Sequence, residues 1–255
     1  MGILNVTPDS FSDGGCFSSV ERAVQHAEQM VKEGADCIDL GGESTRPGAT
    51  PVSAKEELAR VLPVLLRLLE RVEVPVAVDT YKPEVAKAVL EAGAHIINDI
   101  HGLKVFPEMA DVVAPYRAPI ILMHNQRLLE GRHENDVIES IQSSLSQSIE
   151  VALRAGVPRE AIVLDPGIGF GLSAEDSARV IQRLPSFQHL GFPLLVGASR
   201  KSFIGEILGL GVKERLEGTL ATSVLCVTRG VSILRVHDVQ ANVRAIRVAE
   251  AIDSF

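Results

Sequence analysis

Short apolar runs alternate with longer amphipathic stretches along this 255-residue chain. The runs are rich in Val, Ile and Leu, a composition and length typical of strands that are buried on both faces of a parallel sheet. We predict eight such strands, at Gly2–Leu4, Cys37–Leu40, Val76–Val78, Ile96–Ile97, Ile120–Met123, Ile162–Leu164, Leu194–Val196 and Ile233–Val236.

The stretches between the runs carry helical patterns. We predict helices over Val20–Glu33, Ala54–Arg71, Pro83–Ala92, Phe106–Ala114, Val137–Ala155, Ala174–Leu184, Ser202–Leu208, Arg215–Arg229 and Val239–Ile252. Several of them are followed by a glycine, such as Gly34 and Gly156, because glycine readily adopts the left-handed conformation that ends a helix. Ser53 and Pro83 stand where helix starts are expected.

Eight strand–helix units follow one another with no linker or low-complexity segment between them. This pattern predicts an α/β fold, a (β/α)8 TIM barrel that forms a single domain over residues 1–255. A doubly wound open sheet is the alternative, but such sheets rarely repeat eight units so evenly.

Composition narrows the classes of function. Hydrophobic residues make up 46% of the chain, enough for a substantial core. The formal net charge of −8 disfavours a nucleic-acid partner, although a few local cations can still hold a small anion. No apolar run is long enough to span a membrane. We therefore expect neither nucleic acid nor a membrane among the partners.

The cysteines indicate the compartment. Cys16, Cys37 and Cys226 are far apart and form no C-x-x-C pair, so neither a disulfide framework nor a zinc site is indicated. No secretory leader is recognisable at the start of the sequence. We expect a reducing, cytoplasmic location.

Polar residues collect directly after the predicted strands. The C-terminal ends of the strands form the active-site mouth of a barrel. The residues in this position are Asn5, Gly41–Arg46, Asp79, Thr80, Asn98, Asp99, His124, Asp165, Gly197–Lys201, Arg235 and His237. The starts of the strands carry no comparable set, so this asymmetry predicts an enzyme.

Two carboxylates and one amide at the mouth suit a flat heterocycle with several N–H donors and a carbonyl. These residues are Asp79, Asp165 and Asn98. A helix cap is the alternative for each aspartate. Asp165, however, is followed by Pro-Gly, and Asp79 follows an apolar strand, where a buried charge requires a partner.

Cationic residues at the mouth favour an anionic group on the ligand, with phosphate as the main candidate. They are Arg46, Lys201, Arg235 and His237. Solvated surface is the alternative, but three of the four lie within or beside strand ends.

Eight segments, in order from end to end, resemble the dihydropteroate synthases of the folate pathway. They are Met1–Gly15, Asp39–Ala49, Val78–Val85, Gly93–Ile100, Leu122–His124, Leu164–Gly171, Leu194–Gly205 and Arg235–Val239. The resemblance implies a barrel that joins p-aminobenzoate to 6-hydroxymethyl-7,8-dihydropterin diphosphate and releases 7,8-dihydropteroate and diphosphate.

The resemblance also implies a role for each matching residue. The pterin would be held by Asp79, Asn98, Met123, Asp165 and Lys201. The p-aminobenzoate site would comprise Phe11, Thr45, Arg46, Pro47, Phe170, Lys201 and Ser202. The diphosphate would bind Asn5, Arg46, Arg235 and His237, and Asn5 would also ligate Mg²⁺. The catalytic residues would be Asp79, Lys201 and Arg235.

In the implied reaction the diphosphate leaves first, while Mg²⁺, Arg235 and His237 offset its charge. Asp79 would stabilise the resulting methylene cation, and the neutral aromatic amine would attack without a strong general base. Sulfonamides are expected to compete with p-aminobenzoate. The resemblance also implies a homodimer, often formed through the last helices, and the apolar stretch Leu220–Val227 is compatible with it.

Two features depart from the family pattern. Many members carry an N-terminal hairpin that closes the barrel bottom, whereas the first predicted strand here begins at Gly2. Gly171 is followed by Leu172, where many members have lysine.

Two alternative functions remain from the sequence. A methyltetrahydrofolate:corrinoid methyltransferase would share the fold and a similar pterin pocket, but it needs no diphosphate site. A catalytically silent barrel that acts as a binding partner is the other.

Overall fold

Strands and helices alternate along the computed structural model, which describes residues 1–7, 16–44, 48–128 and 136–253, without the side chains of residues 16–18. The strands of these ranges are β1 (Gly2–Asn5), β2 (Ile38–Gly41), β3 (Val76–Asp79), β4 (Ile96–Asp99), β5 (Ile120–Met123), β6 (Ile162–Asp165), β7 (Leu195–Val196) and β8 (Ile233–Leu234). All eight predicted strands are therefore confirmed.

The α-helices lie between and after these strands. In the described ranges they are α1 (Cys16–Lys32), α2 (Ala54–Arg71), α3 (Pro83–Glu91), α4 (Met109–Val113), α5 (Val137–Arg154), α6 (Ala174–Gln182), α7 (Ser202–Leu208), α8 (Leu216–Val227) and α9 (Val239–Asp253). Ser53 caps α2 by accepting a hydrogen bond from the backbone N–H of Glu56, as its position predicts. No helix in the described ranges combines the length and apolar character that crossing a bilayer requires.

The strands close into a ring. β1 to β6 pair in parallel in chain order, and β7 pairs in parallel with β8. Leu164 bridges to Leu194, which joins β6 to β7. The backbone N–H of Ile3 donates to Val236 O at 3.0 Å, and that of Val236 donates to Met1 O at 3.0 Å, which joins β8 to β1. The closed parallel ring confirms the predicted barrel and excludes the open sheet.

The core lies between the strands and the surrounding helices. Val76, Val78 and Ile97 are fully buried on the strands, and Leu65 and Leu68 are fully buried on α2. Apolar burial of this kind contributes about 25 cal/mol per Å². The apolar layers fix the position of each strand along the barrel axis. They thereby also fix the position of the polar residue that follows the strand.

Some element bounds differ from the prediction. β4 continues through Asn98 and Asp99, and β7 and β8 are two residues long each. α4 begins at Met109 rather than Phe106, and the chain continues after it as a 3-10 turn over Ala114–Tyr116. Proline accounts for the end of α4, because Pro115 has no N–H to donate to the carbonyl of Asp111.

Candidate active site

Four neighbouring strands bring one residue each to the same level near their C-terminal ends. Asn5 is paired in register with Gly41, Gly41 with Asp79, and Asp79 with Asn98. On the other side of the barrel Met123 is paired with Asp165. The register therefore places the predicted pterin residues of β3 to β6 around one mouth.

Arg235 lies between two carboxylates at this mouth. Its Nε donates to Asp39 Oδ2 at 2.6 Å, and its Nη2 donates to Asp79 Oδ2 at 2.9 Å. Asn98 Nδ2 also donates to Asp39, at 3.3 Å and 3.4 Å to the two carboxylate oxygens. The structure thus brings Asp79, Asn98 and Arg235 together through Asp39.

Asp39 is the residue that the sequence reasoning missed. It is fully buried (0% exposed) inside β2, two positions before the glycine pair Gly41 and Gly42. The signal was available, because a carboxylate within an otherwise apolar strand requires a buried partner. The partner itself could not be read from the chain, since Arg235 lies 196 positions away.

Burial raises the pKa of the Asp79 carboxyl, and Arg235 counteracts part of that rise. For Arg235 burial lowers the pKa, but the carboxylates of Asp39 and Asp79 raise it more, so its pKa lies above the ordinary value. The guanidinium is therefore a permanent cation, held at the mouth by two carboxylates.

Asp165 ends β6 at the start of a tight turn. Its Oδ1 accepts the backbone N–H of Gly167 at 2.8 Å. A Cβ on Gly167 would lie 1.8 Å from His124 O, and the φ of Gly167 is +77°, so only glycine fits here. Burial raises the pKa of Asp165 to about 6, while the Gly167 hydrogen bond and the charge of Lys201 lower it in part.

Lys201 reaches the mouth from the loop after β7. Its Nζ donates to Ile168 O at 2.8 Å and lies 3.9 Å from the centre of the Phe170 ring. A Cβ on Gly169 would lie 2.8 Å from Lys201 Cδ, so the glycine leaves room for this side chain. Burial lowers the pKa of Lys201, and the nearby charge of Asp165 raises it in part.

The remaining described residues of the prediction lie around this centre. Met123 is buried at the end of β5. Ser202 is the first residue of α7 and is exposed. His237 is also exposed, and its Nδ1 lies 3.0 Å from Ser199 Oγ.

Four predicted residues, Phe11, Thr45, Arg46 and Pro47, lie outside the described residues. Their roles at the p-aminobenzoate and diphosphate sites stay predictions.

Asn5 is the predicted metal ligand. A Cβ on Gly41 would lie 3.2 Å from Asn5 Oδ1, so the glycine leaves space beside the amide oxygen. The described ranges contain no group of three or more His, Cys, Asp or Glu side chains that could hold a metal ion. The Asn5 amide oxygen is a hard oxygen donor of the kind that Mg²⁺ takes, and Mg²⁺ commonly completes its coordination with substrate phosphates and waters.

With this geometry in place, the comparisons with known proteins decide the family. The sequence profile of the family described as pterin binding enzyme matches residues 1–237. The chain belongs to this family. It is 49% identical to the dihydropteroate synthase of Bacillus subtilis (strain 168) over 252 residues, which is 99% of this chain and 87% of that protein.

Solved structures of family members have the same fold. A dihydropteroate synthase from Clostridium difficile, crystallised in the presence of pteroic acid, superposes with a TM-score of 0.95 at 50% identity, covering 99% of this chain and 95% of that one. A dihydropteroate synthase from Xanthomonas albilineans with 4-aminobenzoic acid superposes with a TM-score of 0.94 at 45% identity, covering 100% and 93%.

Proposed function

We propose that this chain is a dihydropteroate synthase, which joins p-aminobenzoate to 6-hydroxymethyl-7,8-dihydropterin diphosphate and releases diphosphate. The observation that carries the proposal is the contact of Arg235 with Asp79 at the barrel mouth. It places a permanent cation, suited to the leaving diphosphate, beside a carboxylate suited to the carbon that the diphosphate leaves. The curated relatives and the solved neighbours carry the same enzyme name.

The pterin ring would bind deep in the mouth. A carboxylate has about four lone-pair sites, so Asp165 can accept from the pterin amino group and a ring N–H beside its bond to Gly167. Asn98 offers an amide, Lys201 an N–H donor, and Met123 an apolar surface for the ring. These groups together recognise both the polar edge and the apolar face of a pterin.

The reaction exchanges one bond for another. The bond between the pterin methylene carbon and the diphosphate oxygen breaks, and its electron pair leaves with the diphosphate, next to Arg235 and His237. Asp79 stabilises the positive charge on the methylene carbon. The amine of p-aminobenzoate then donates its lone pair to that carbon and loses a proton to solvent.

Asn5 is the residue that would hold Mg²⁺, together with oxygens of the diphosphate. When bound, the ion supplies positive charge that offsets the charge of the leaving group. Arg46 is proposed as a further diphosphate ligand.

The p-aminobenzoate would lie towards the outer part of the mouth. Phe170 and Lys201 form one wall, since the Lys201 ammonium lies over the Phe170 ring, and Ser202 lies exposed beside it. Phe11, Thr45 and Pro47 are proposed to complete this site. Sulfonamides, which mimic p-aminobenzoate, would compete at the same place.

An activity assay with the purified protein tests the function. Pterin diphosphate and p-aminobenzoate should give dihydropteroate and diphosphate, and chelation of Mg²⁺ should stop the reaction. Failure to release diphosphate with both substrates and Mg²⁺ present would refute the proposal. Transfer of a methyl group from methyltetrahydrofolate to a corrinoid would support the alternative instead.

We also propose a homodimer formed through the face made by α6, α7 and α8. Ile207, Leu208 and Leu225 are exposed there, at 63%, 47% and 45%. A groove of about 520 Å³ runs along this face, with Phe203, Ile207 and Leu225 in its lining. Sedimentation at micromolar concentration should show a dimer, and substitution of Ile207 and Leu225 by Asp should give a monomer.

We also propose that residues 1–255 form a single domain and that the protein is located in the cytoplasm. Ser223 of α8 donates to Asn242 of α9 at 2.7 Å, which supports one domain that includes the last helix. Cys37 and Cys226, whose side chains are described, form no disulfide, which is compatible with the cytoplasm.

A further inference from the structure

Ser199, in the loop after β7, contacts His237 in the loop after β8. Its side chain is buried, and its Oγ lies 3.0 Å from His237 Nδ1. The same oxygen accepts the backbone N–H of His237 at 3.2 Å. These two contacts fix both the backbone and the ring of His237 relative to Ser199.

The two contacts are compatible with a ring that presents a donor at Nε2. A serine hydroxyl has one hydrogen and two lone pairs, so it can accept the backbone N–H and donate to Nδ1. A neutral imidazole that accepts at Nδ1 carries its hydrogen on Nε2, which makes Nε2 a donor. A donor in this position suits a phosphate oxygen.

The backbone beside Ser199 is itself held by α8 and the turn before it. The backbone N–H of Arg200 donates to Thr219 Oγ1 at 3.0 Å, and Arg215 Nη1 donates to Arg200 O at 3.1 Å. Arg200 has a φ of +58°, a left-handed conformation that is unfavourable for a non-glycine residue. The surrounding hydrogen bonds therefore maintain an unfavourable turn, and Ser199 is presented from a fixed support.

A second contact ties the same two loops together. Arg200 Nε donates to Asp238 Oδ2 at 2.8 Å, and its Nη2 donates to Oδ1 at 2.5 Å. Such a bidentate pair fixes geometry as well as distance. Because Asp238 directly follows His237, the pair supports the position that the Ser199 contact gives to the ring.

We infer that Ser199 is a positioning residue for the diphosphate half of the reaction, acting by holding the imidazole of His237. The inference rests on the proposed function, since it takes the diphosphate as the ligand of His237. Without the Ser199 hydroxyl the ring loses its contact at Nδ1, which helps to fix its rotation. Binding of the pterin ring itself does not involve this contact, because Asp165 and Asn98 lie on other strands.

Calorimetry with two ligands tests the inference: pterin diphosphate, and the same pterin as its free alcohol. Ser199→Ala should weaken binding of the diphosphate about 5- to 10-fold, the loss expected for one hydrogen bond, and should leave the alcohol within about 2-fold. Ser199→Thr, which keeps the hydroxyl, should bind both ligands as the unchanged protein does. In a His237→Ala background, Ser199→Ala should cause no further loss.

Equal losses for the two ligands, unchanged diphosphate binding, or a full further loss in the His237→Ala background would each overturn the inference. Ser148→Ala is a matched control, because Ser148 is a buried serine of α5 that donates to Gly102 O at 2.6 Å. It should change thermal stability without changing either affinity. Failure of the proposed function is distinguishable, since the unchanged protein would then release no diphosphate.

Discussion

The two halves of the mouth hold their charges in different ways. On the side of β2, β3 and β8, Arg235 forms ion pairs with both Asp39 and Asp79. On the side of β6 and β7, Asp165 and Lys201 each contact a backbone group instead. In the first half the cation is paired within the protein by two carboxylates, whereas the second half holds opposite charges close together without a direct ion pair. We interpret the second half as the part that binds the pterin ring. We interpret the first half as the part that acts on the charges formed when the diphosphate leaves.

The largest expected effect is on ligand binding in the second half. Asp165→Asn removes the acceptor of two pterin N–H groups and should weaken binding of pterin diphosphate at least about 100-fold, because hydrogen bonds to a charged group contribute about 1.5–3 kcal/mol each. The fold should be kept. Isothermal calorimetry measures the loss.

Asp99→Asn is the matched control for this change. Asp99 is also a buried aspartate at a strand end, but its carboxylate accepts from backbone groups, the N–H of Leu103, of His101 and of Gly102. Its substitution should affect the thermal midpoint and leave the affinity within about 3-fold. An Asp165→Asn protein that binds as tightly as the Asp99→Asn protein would contradict the assignment.

The second largest expected effect is a difference in the free energy of unfolding between variants of the two halves. Arg235→Met leaves Asp39 and Asp79 buried without their cation, so we expect a loss of about 3–5 kcal/mol in the free energy of unfolding. Lys201→Met removes a cation whose burial already lowers its pKa, so the free energy of unfolding should stay level or rise. Both variants should lose activity. Urea denaturation measures the difference, and equal stabilities of the two variants would remove the contrast drawn between the halves.

Asp39→Asn changes the first half without removing its cation. The amide keeps the shape of the carboxylate but loses its charge, so Arg235 should be oriented less firmly. We expect kcat/KM to fall about 10-fold, equivalent to about 1.4 kcal/mol, with little change in the affinity for the pterin alcohol. Steady-state kinetics give the first quantity and calorimetry the second. An unchanged kcat/KM would show that Asp39 only fills the core.

The sequence predicts the strands, the barrel and the residues at the strand ends, because apolar runs of fixed length set where each polar residue emerges. It does not predict partners that closure of the ring brings together. Asp39 lies inside a strand and His237 lies in a loop, and the contacts of both depend on residues from distant strands. Spacing along the chain carries no information about such pairs, whereas the register of neighbouring strands does.

The smallest expected effect is the pH dependence of pterin binding in the second half. The pKa of Asp165 is raised to about 6 by burial, and the pterin N–H groups require the ionised carboxylate. Binding therefore displaces the proton once the pH lies below about 6, so affinity for the pterin alcohol should fall as the pH is lowered, by about 5-fold between pH 6 and pH 5 and by about 10-fold per pH unit further below. Calorimetry at pH 5 in two buffers of different ionisation enthalpy should detect proton release on binding. Asp165→Asn should abolish that release. An affinity that is constant from pH 5 to pH 8 would contradict the prediction. It would show that Asp165 is ionised throughout, because the nearby charge of Lys201 outweighs the effect of burial on its pKa.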